Sequence, residues 1–331
     1  MKKITLIITL LFFVTGCATK IYSFDKYKRS HLSNTDFMPS VDMVKGKKPK
    51  VVIFPLDNQN INIAKKVNLG SVLAVNIENI LTEDKLVDLI DRNSAKKLKK
   101  EIQLSEIHGN KTYKGPIVAS LAVGGVMNKA EFAKQHTAAR HKFDFINMAY
   151  EYAAPMNTYK ATVGGNIKIY EIPSLRVIRT ISFDHVKTYI ENVEKENYNK
   201  EDTRKTELYL LKQAAQEAVK KVKIDLKNIF ARKGYILEKR KLRNSYIFKI
   251  NLGSDDGMQK GNRFNLLTKI EEANALTEET EITEVKLYKG KITNKINKKS
   301  CWIKIKNKKI AQKIRLGDFI QIEYKKGWFR R

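Results

Sequence analysis

Between residues 202 and 230 an apolar side chain returns every three or four positions. Leu208, Leu211, Ala215, Ala218, Val219, Val222, Leu226 and Ile229 share one side of a helix. At 1.5 Å per residue such a helix is about 42 Å long, enough to span a whole domain. Asp202 or Thr203 supplies an N-cap side chain, and Gly234 stands just past the last apolar position, where a helix can stop. This stripe constrains the chain most, because the sequence before it and after it follows two different patterns, and one helix of that length can join two domains.

Before the stripe, strands and helices alternate. Residues 51–54 form a continuous apolar run stopped by Pro55, which reads as a buried strand. Leu69, Leu73, Ile77, Ile80 and Leu81 mark a helix face. The alternating "LVDLI" at 86–90 is a second strand, and Asp91 can cap a helix whose face is Ala95, Leu98, Ile102 and Ile107. "GPIVASLAVGGVMNKAEF" is a third strand region with a bulge or bend at Gly124 and Gly125. Ile167, Ile169, Tyr170 and Ile172 belong to one further strand and residues 177–183 to another, joined at Pro173-Ser174-Leu175 as a hairpin. Residues 131–158 and 187–205 are polar and yield no clear element.

After the stripe no helical period is visible. "YIFKINLG", "NRFNLLTKI", "EVKLYKGKITNKI", "SCWIKIKN" and "GDFIQIEY" are short, alternating and β-branched, which predicts a small all-β barrel or sandwich over 233–331. The fold class expected for the chain is therefore α+β, with an αβ sandwich over 49–232. In "GSDDGMQKGN" the acidic residues raise the question of a Ca²⁺ loop. The bidentate Glu that such a loop needs is absent, so Gly253, Asp256, Gly257 and Gly261 read as tight-turn residues, the glycines accepting positive φ. Gly317 before the last strand reads the same way.

The N-terminus says where the chain works. Lys2 and Lys3 precede an uncharged apolar run at 4–14, too short for the ~20 residues that a spanning helix takes. It reads as an export signal. Its end, Val14-Thr15-Gly16-Cys17, resembles the bacterial lipobox. That resemblance implies cleavage after residue 16, a diacylglycerol on the Cys17 thiol, and anchorage by acyl chains. Ala18, where retention in the inner membrane commonly uses Asp, points to the outer membrane with the domains facing the periplasm. Residues 17–48 carry little periodicity and are expected to serve as a tether and a wrap-around segment.

The chain has 64 Lys and Arg against 35 Asp and Glu, a net charge of +29. Export removes nucleic acid as the expected partner and leaves anionic lipid headgroups, cell-wall carboxylates, lipopolysaccharide phosphates or acidic protein faces. Lys far outnumbers Arg, so much of this charge reads as solvated surface. Cys301, beside Trp302, reads as a core residue. The histidines at 31, 108, 136, 141 and 185 show no metal-ligand spacing, and no nucleophile elbow or phosphate loop occurs. No enzyme, metal or cofactor is expected.

Two family resemblances follow. The order of "VVIFPLDN", "NLGSVLAVNIENIL", "VDLIDRNSAKKL" and "NIKIYEIPSLRVIRTISF" before a long helix resembles the curli production assembly/transport (CsgG-type) lipoproteins. It implies an αβ sandwich similar to anticodon-binding-like domains, with Asp91-Arg92 placing a helix, and a homo-oligomer. Family secretion pores use membrane hairpins with an apolar face, but residues 131–158 and 187–205 are too polar for that role. "FKINLGSDDGMQKGNRFNLL" with the final "LGDFIQIEY" resembles the C-terminal domain of flagellar assembly protein T. Together they imply a non-enzymatic lipoprotein acting through envelope protein partners in a secretion or flagellar assembly. A tethered regulator or binder of the cell wall is the alternative.

Overall fold

The computed structural model describes residues 20–45, 47–108, 112–192, 203–273 and 280–325. Val14, Thr15, Gly16 and Cys17 lie outside these residues, as does Asp202. The chain divides into two compact units. One joins the described residues up to Lys48 with Asp84–Leu86 and those from Lys227 on; the other comprises Pro49–Glu83 and Val87–Leu226.

The described part begins with strand β1 (Lys28–Ser30) and the short helix α1 (Val41–Val44). The αβ unit follows: β2 (Lys50–Ile53), α2 (Asn62–Lys66), α3 (Leu69–Glu83), β3 (Asp88–Leu89), α4 (Lys96–His108), β4 (Leu121–Thr137), β5 (Arg140–Asp144), β6 (Ala149–Ala153), β7 (Met156–Glu171), β8 (Val177–Asn192), α5 (Thr203–Lys221) and the start of α6 (Lys223–Ile229). Its main sheet has five strands in the order β3-β2-β4-β7-β8. β2 runs parallel to both its neighbours, whereas β4, β7 and β8 are antiparallel.

The pleat sends alternate residues to opposite faces. Val52, Phe54, Ala122 and Tyr170 meet Leu98 and Ile102 of α4 on one face. Val51, Ile53, Val123, Ile167 and Ile169, buried on the other, lie under α3 and α5, which also pack on each other. All five apolar residues that mark the helix face of α3 are buried. β3 is a two-residue exposed edge strand, shorter than the alternation at 86–90 suggests, and Leu86 and Val87 are buried before it. Asp91 does not cap α4 with its side chain. Its carbonyl accepts from Ser94 Oγ, and the Arg92 guanidinium instead reaches Glu78 of α3, so the pair fixes the strand–helix junction through Arg92.

The glycine pair does not break β4. Register is kept through Gly124 and Gly125, and the bulge falls between Met127 and Lys129. Gly125 has φ +142° and a Cβ there would strike the Asn166 carbonyl oxygen, so the site needs glycine for close strand approach. The stripe at 202–230 is two helices, α5 and α6, interrupted at Val222, and Asp225 in the first turn of α6 suits a restart. The apolar face itself holds, with Leu211, Ala215, Ala218, Val219, Val222 and Leu226 buried; Leu210 and Ala214 widen it, and Leu208 is exposed. Gly234 is no helix stop. It lies inside strand β9 (Lys233–Leu242), where a Cβ would crowd Leu252 and Ile320.

The second unit continues with β10 (Ser245–Ile250), β11 (Arg263–Ala273), β12 (Thr280–Ile296), β13 (Cys301–Ile305), α7 (Lys308–Lys313) and β14 (Phe319–Glu323). Six antiparallel strands follow the order β9-β10-β13-β12-β11-β14 and close where β14 pairs back onto β9. Register shifts in β10, β11 and β12 let the strands bend around the closure. Phe248, Phe264, Ile292, Cys301, Ile303 and Ile320 fill the interior with no exposed surface. The α+β class thus holds for the chain, with mostly antiparallel sheets.

In the stretch expected to serve as a tether and a wrap-around segment, the chain is docked from Ile21 onward. β1 pairs with Lys239–Lys241 of β9 from outside the ring. Ile21 and Tyr27 are buried against Ile247 and Trp302. Further along, Thr35 N donates to Leu316 O at 3.0 Å and Leu316 N to Ser33 O at 2.8 Å. Apolar residues without periodicity are legible only as coil, yet a few well-placed ones suffice to fix a segment on a finished surface.

Candidate interaction site: a β arm with an aromatic tip

Of the polar stretches that yielded no element from the sequence, 131–158 is mostly strand, and 187–192 is the end of β8; residues 193–202 lie outside the described residues. β4, β7 and β8 run for 17, 16 and 16 residues, about 50 Å at 3.3 Å per residue, and stay paired along that length apart from one register shift in each pairing. Their last buried positions toward the far end are Ala130, Tyr159 and Phe183. Beyond these, the backbone ladder continues with neither face covered, so both faces carry polar residues and alternation disappears.

Side chains across the arm take over part of the work of a core. Phe132, Tyr159 and Tyr189 stack across the three strands with centroids 6.2 and 6.0 Å apart. Tyr159 Oη donates to Glu191 Oε2 at 3.1 Å, and the Lys134 ammonium sits 5.6 Å from the same ring. At the base, Glu217 of α5 accepts from His185 Nε2 and Lys187 Nζ of β8, both at 2.7 Å. The Lys187 hydrogen bond, the largest effect, outweighs the opposing effect of burial and, with the smaller contribution of the His185 hydrogen bond, holds the Glu217 carboxyl below its usual range.

β4 and β7 are joined by the hairpin β5–β6, in which Phe143 pairs with Tyr150. Phe143 meets Phe145 edge-on at 5.2 Å and Tyr150 at 5.0 Å, and His141 meets Tyr152 at 5.4 Å. This cluster is not covered: Phe145 is 82 %, Ile146 91 % and Tyr150 74 % exposed. Single exposed apolar residues need no explanation, but a contiguous exposed aromatic cluster is a candidate interaction surface. The signal was present as "FDFINMAYEY", two aromatic pairs at i, i+2 on either side of a turn, and it is masked by the charges interleaved with them.

The turn residues fall at the ends of ring strands. Asp256 Oδ2 accepts from Gly253 N at 2.8 Å, and its other oxygen pairs with the buried Arg232 guanidinium. Gly257, Gly261 and Gly317 have φ of +79°, +90° and +92°. Gly253 differs from the expectation: its φ is −133°, and glycine is required because a Cβ would strike the carbonyl oxygens of Asn297 and Lys298. Asp318, next to Gly317, is buried and accepts from Thr268 Oγ1 and Arg315 N, both at 2.7 Å; burial pushes its carboxyl up.

These arrangements do not assemble a nucleophile with a base. His136 bonds Asn157, the His141 ring meets that of Tyr152 at a tilt, and His185 bonds Glu217. Among the described residues no group of three His, Cys, Asp or Glu side chains is placed to hold a metal. Burial pushes the Cys301 thiol up to about 12, which suppresses the thiolate. No described helix is long and apolar enough to cross a membrane.

No family model matches the chain, and no curated protein matches it. Solved structures similar over part of it include the following three. A candidate lipoprotein from Caulobacter crescentus CB15 is 10 % identical, covering 57 % of this chain and 93 % of its own, with a TM-score of 0.28. A minor lipoprotein from Acinetobacter baumannii is 9 % identical over 54 % and 90 %, with a TM-score of 0.26. A dodecamer of a PelC variant from Paraburkholderia phytofirmans is 10 % identical over 58 % and 98 %, with a TM-score of 0.22. All three scores describe loose likeness of parts.

Proposed function

We propose that this chain is a non-enzymatic, lipid-anchored envelope protein that acts as a part of an assembly through protein–protein contacts. Its place rests on the sequence: a basic head, a short apolar run and the Thr15-Gly16-Cys17 junction, with Ala18 favouring the outer membrane and a periplasmic orientation. The observation that carries the contact role is the arm. A long, three-stranded ladder ending in an exposed aromatic cluster has a cost in exposed apolar surface that a partner removes. A second copy of the chain is the first partner to test, and a secretion or flagellar type of assembly is the finer form of this reading. The alternative, a regulator or binder of the cell wall, is favoured by the charge of +29.

The test is the mass of the detergent-extracted protein by size exclusion with light scattering, alongside Phe145→Ser/Tyr150→Ser. A uniform oligomer that falls apart or shrinks in the double variant is expected. A strict monomer that co-purifies with no envelope protein overturns the assembly reading. Capture of that monomer by purified cell wall, lost steeply at raised salt, then supports the alternative.

A further inference from the structure

The docked N-terminal segment determines which surface faces the lipid. Ile21 is 3 % exposed, and its backbone N–H donates to Asn294 Oδ1 at 2.8 Å on the ring. Three residues, Ala18, Thr19 and Lys20, separate it from Cys17. Those four Cα steps reach at most about 14 Å even when fully extended. A lipid on Cys17 therefore holds the ring's outer face around Ile21 within that distance of the headgroups.

That face is built for the position. Phe24 meets Trp302 edge-on at 5.1 Å, and the Arg240 guanidinium lies 4.9 Å from the Trp302 ring. On the outward side of the strands, Lys249 stands opposite Trp302 and Lys304 opposite Ile247. The Lys295 ammonium is 5.5 Å from the Phe24 ring. Arg29 of β1 and Arg240 of β9 lie on the same side as Ile247, and Glu238 is an acidic residue beside them, paired with both. Opposite charge in the partner surface matches this pattern.

We propose that the outer face of the six-strand ring around Trp302, bearing Lys249, Lys295 and Lys304, lies on an anionic phospholipid surface. This rests on the lipoprotein reading for its geometry, but the cationic face can be tested without the lipid. The full mature chain with Cys17→Ser is mixed with phosphatidylcholine vesicles with and without phosphatidylglycerol. Binding to the anionic vesicles only, weakening with salt, is expected. Each Lys near such a surface is worth roughly fivefold, so Lys249→Glu/Lys295→Glu/Lys304→Glu lowers binding by about a hundredfold or more. The matching reversal on α4, Lys96→Glu/Lys97→Glu/Lys100→Glu, leaves it within a few fold.

Equal loss in both triple variants, or no loss in the first, overturns the proposal. So does wild-type binding that ignores phosphatidylglycerol. A second readout uses the lipidated chain with Trp328→Phe: brominated lipids quench Trp302 if the face lies on the bilayer, and unchanged emission contradicts it. Failure of the lipoprotein reading shows separately, as absence of palmitate label on Cys17 in cells while anionic-vesicle binding by the soluble chain persists.

Discussion

The six-strand ring and the β arm are made of the same element, an antiparallel strand of alternating side chains, and they end in opposite states. The ring closes β14 onto β9, so the alternate residues inside have a common interior, and Phe248 and Phe264 are fully buried. The arm continues three strands beyond their helices with no second layer, and Phe145 and Tyr150 stay in solvent. Closure makes apolar residues stabilise the fold; an open end makes them available to a partner. The contrast separates what the chain needs in order to fold from what it offers outward.

Substitution of matching aromatics is the largest test of that contrast. Phe248→Ala should cost about 3–5 kcal/mol in denaturant unfolding, as large-to-small changes in packed cores do. Phe145→Ala should stay within about 0.5 kcal/mol, as at an exposed site. A comparable loss from Phe145→Ala would place the tip in the folding core and remove the distinction.

Next in size is the ion pair under the turn. Asp256→Ala takes the carboxylate from Arg232, which is 8 % exposed, and should cost about 3 kcal/mol. A loss below ~1 kcal/mol would make the turn an ordinary surface feature. The two kinds of glycine in the ring then sharpen the picture. Gly253→Ala meets two backbone carbonyls that cannot move aside, whereas Gly261→Ala meets open space and only the strain of φ +90°. The second should cost about 1–2 kcal/mol and the first more. The reverse order would contradict the steric account.

What the sequence made legible follows the same division. Strands β10 to β14 of the ring were readable because β-branched alternation is a local signal that a common interior enforces; β9 was not, its alternation being masked by Glu238, Lys239, Arg240 and Lys241. The α3 stripe was readable because one whole face is buried. The arm was not, because Lys134 and Glu191 stand on strands that no layer covers, so polarity there carries no information about pairing. The role of Gly234 was hidden for another reason: its neighbours, Leu252 and Ile320, are distant in sequence. Of the candidate site, the aromatic pairs were visible as letters, but their common exposure at one tip needed the register of β5 on β6.

The smallest expected effect concerns the base of the arm. Glu217 has a folded pKa below its unfolded value, so its ion pairs stabilise above the unfolded value and this contribution is lost as pH falls through the lowered folded value. Glu217→Gln should therefore lower stability at neutral pH by no more than about 1 kcal/mol, the carboxylate being partly exposed, and the difference from wild type should vanish in acid. A difference independent of pH would mean that packing, not charge, joins α5 to β8.

The central claim is that this chain works from a membrane, held by a lipid beside its β ring. Intact-mass analysis of the protein extracted from bacterial membranes tests it most directly. The account predicts a chain that begins at Cys17 and carries a diacylglycerol on that thiol. A chain that still begins at Met1, or a mature chain with an unmodified Cys17, would contradict it.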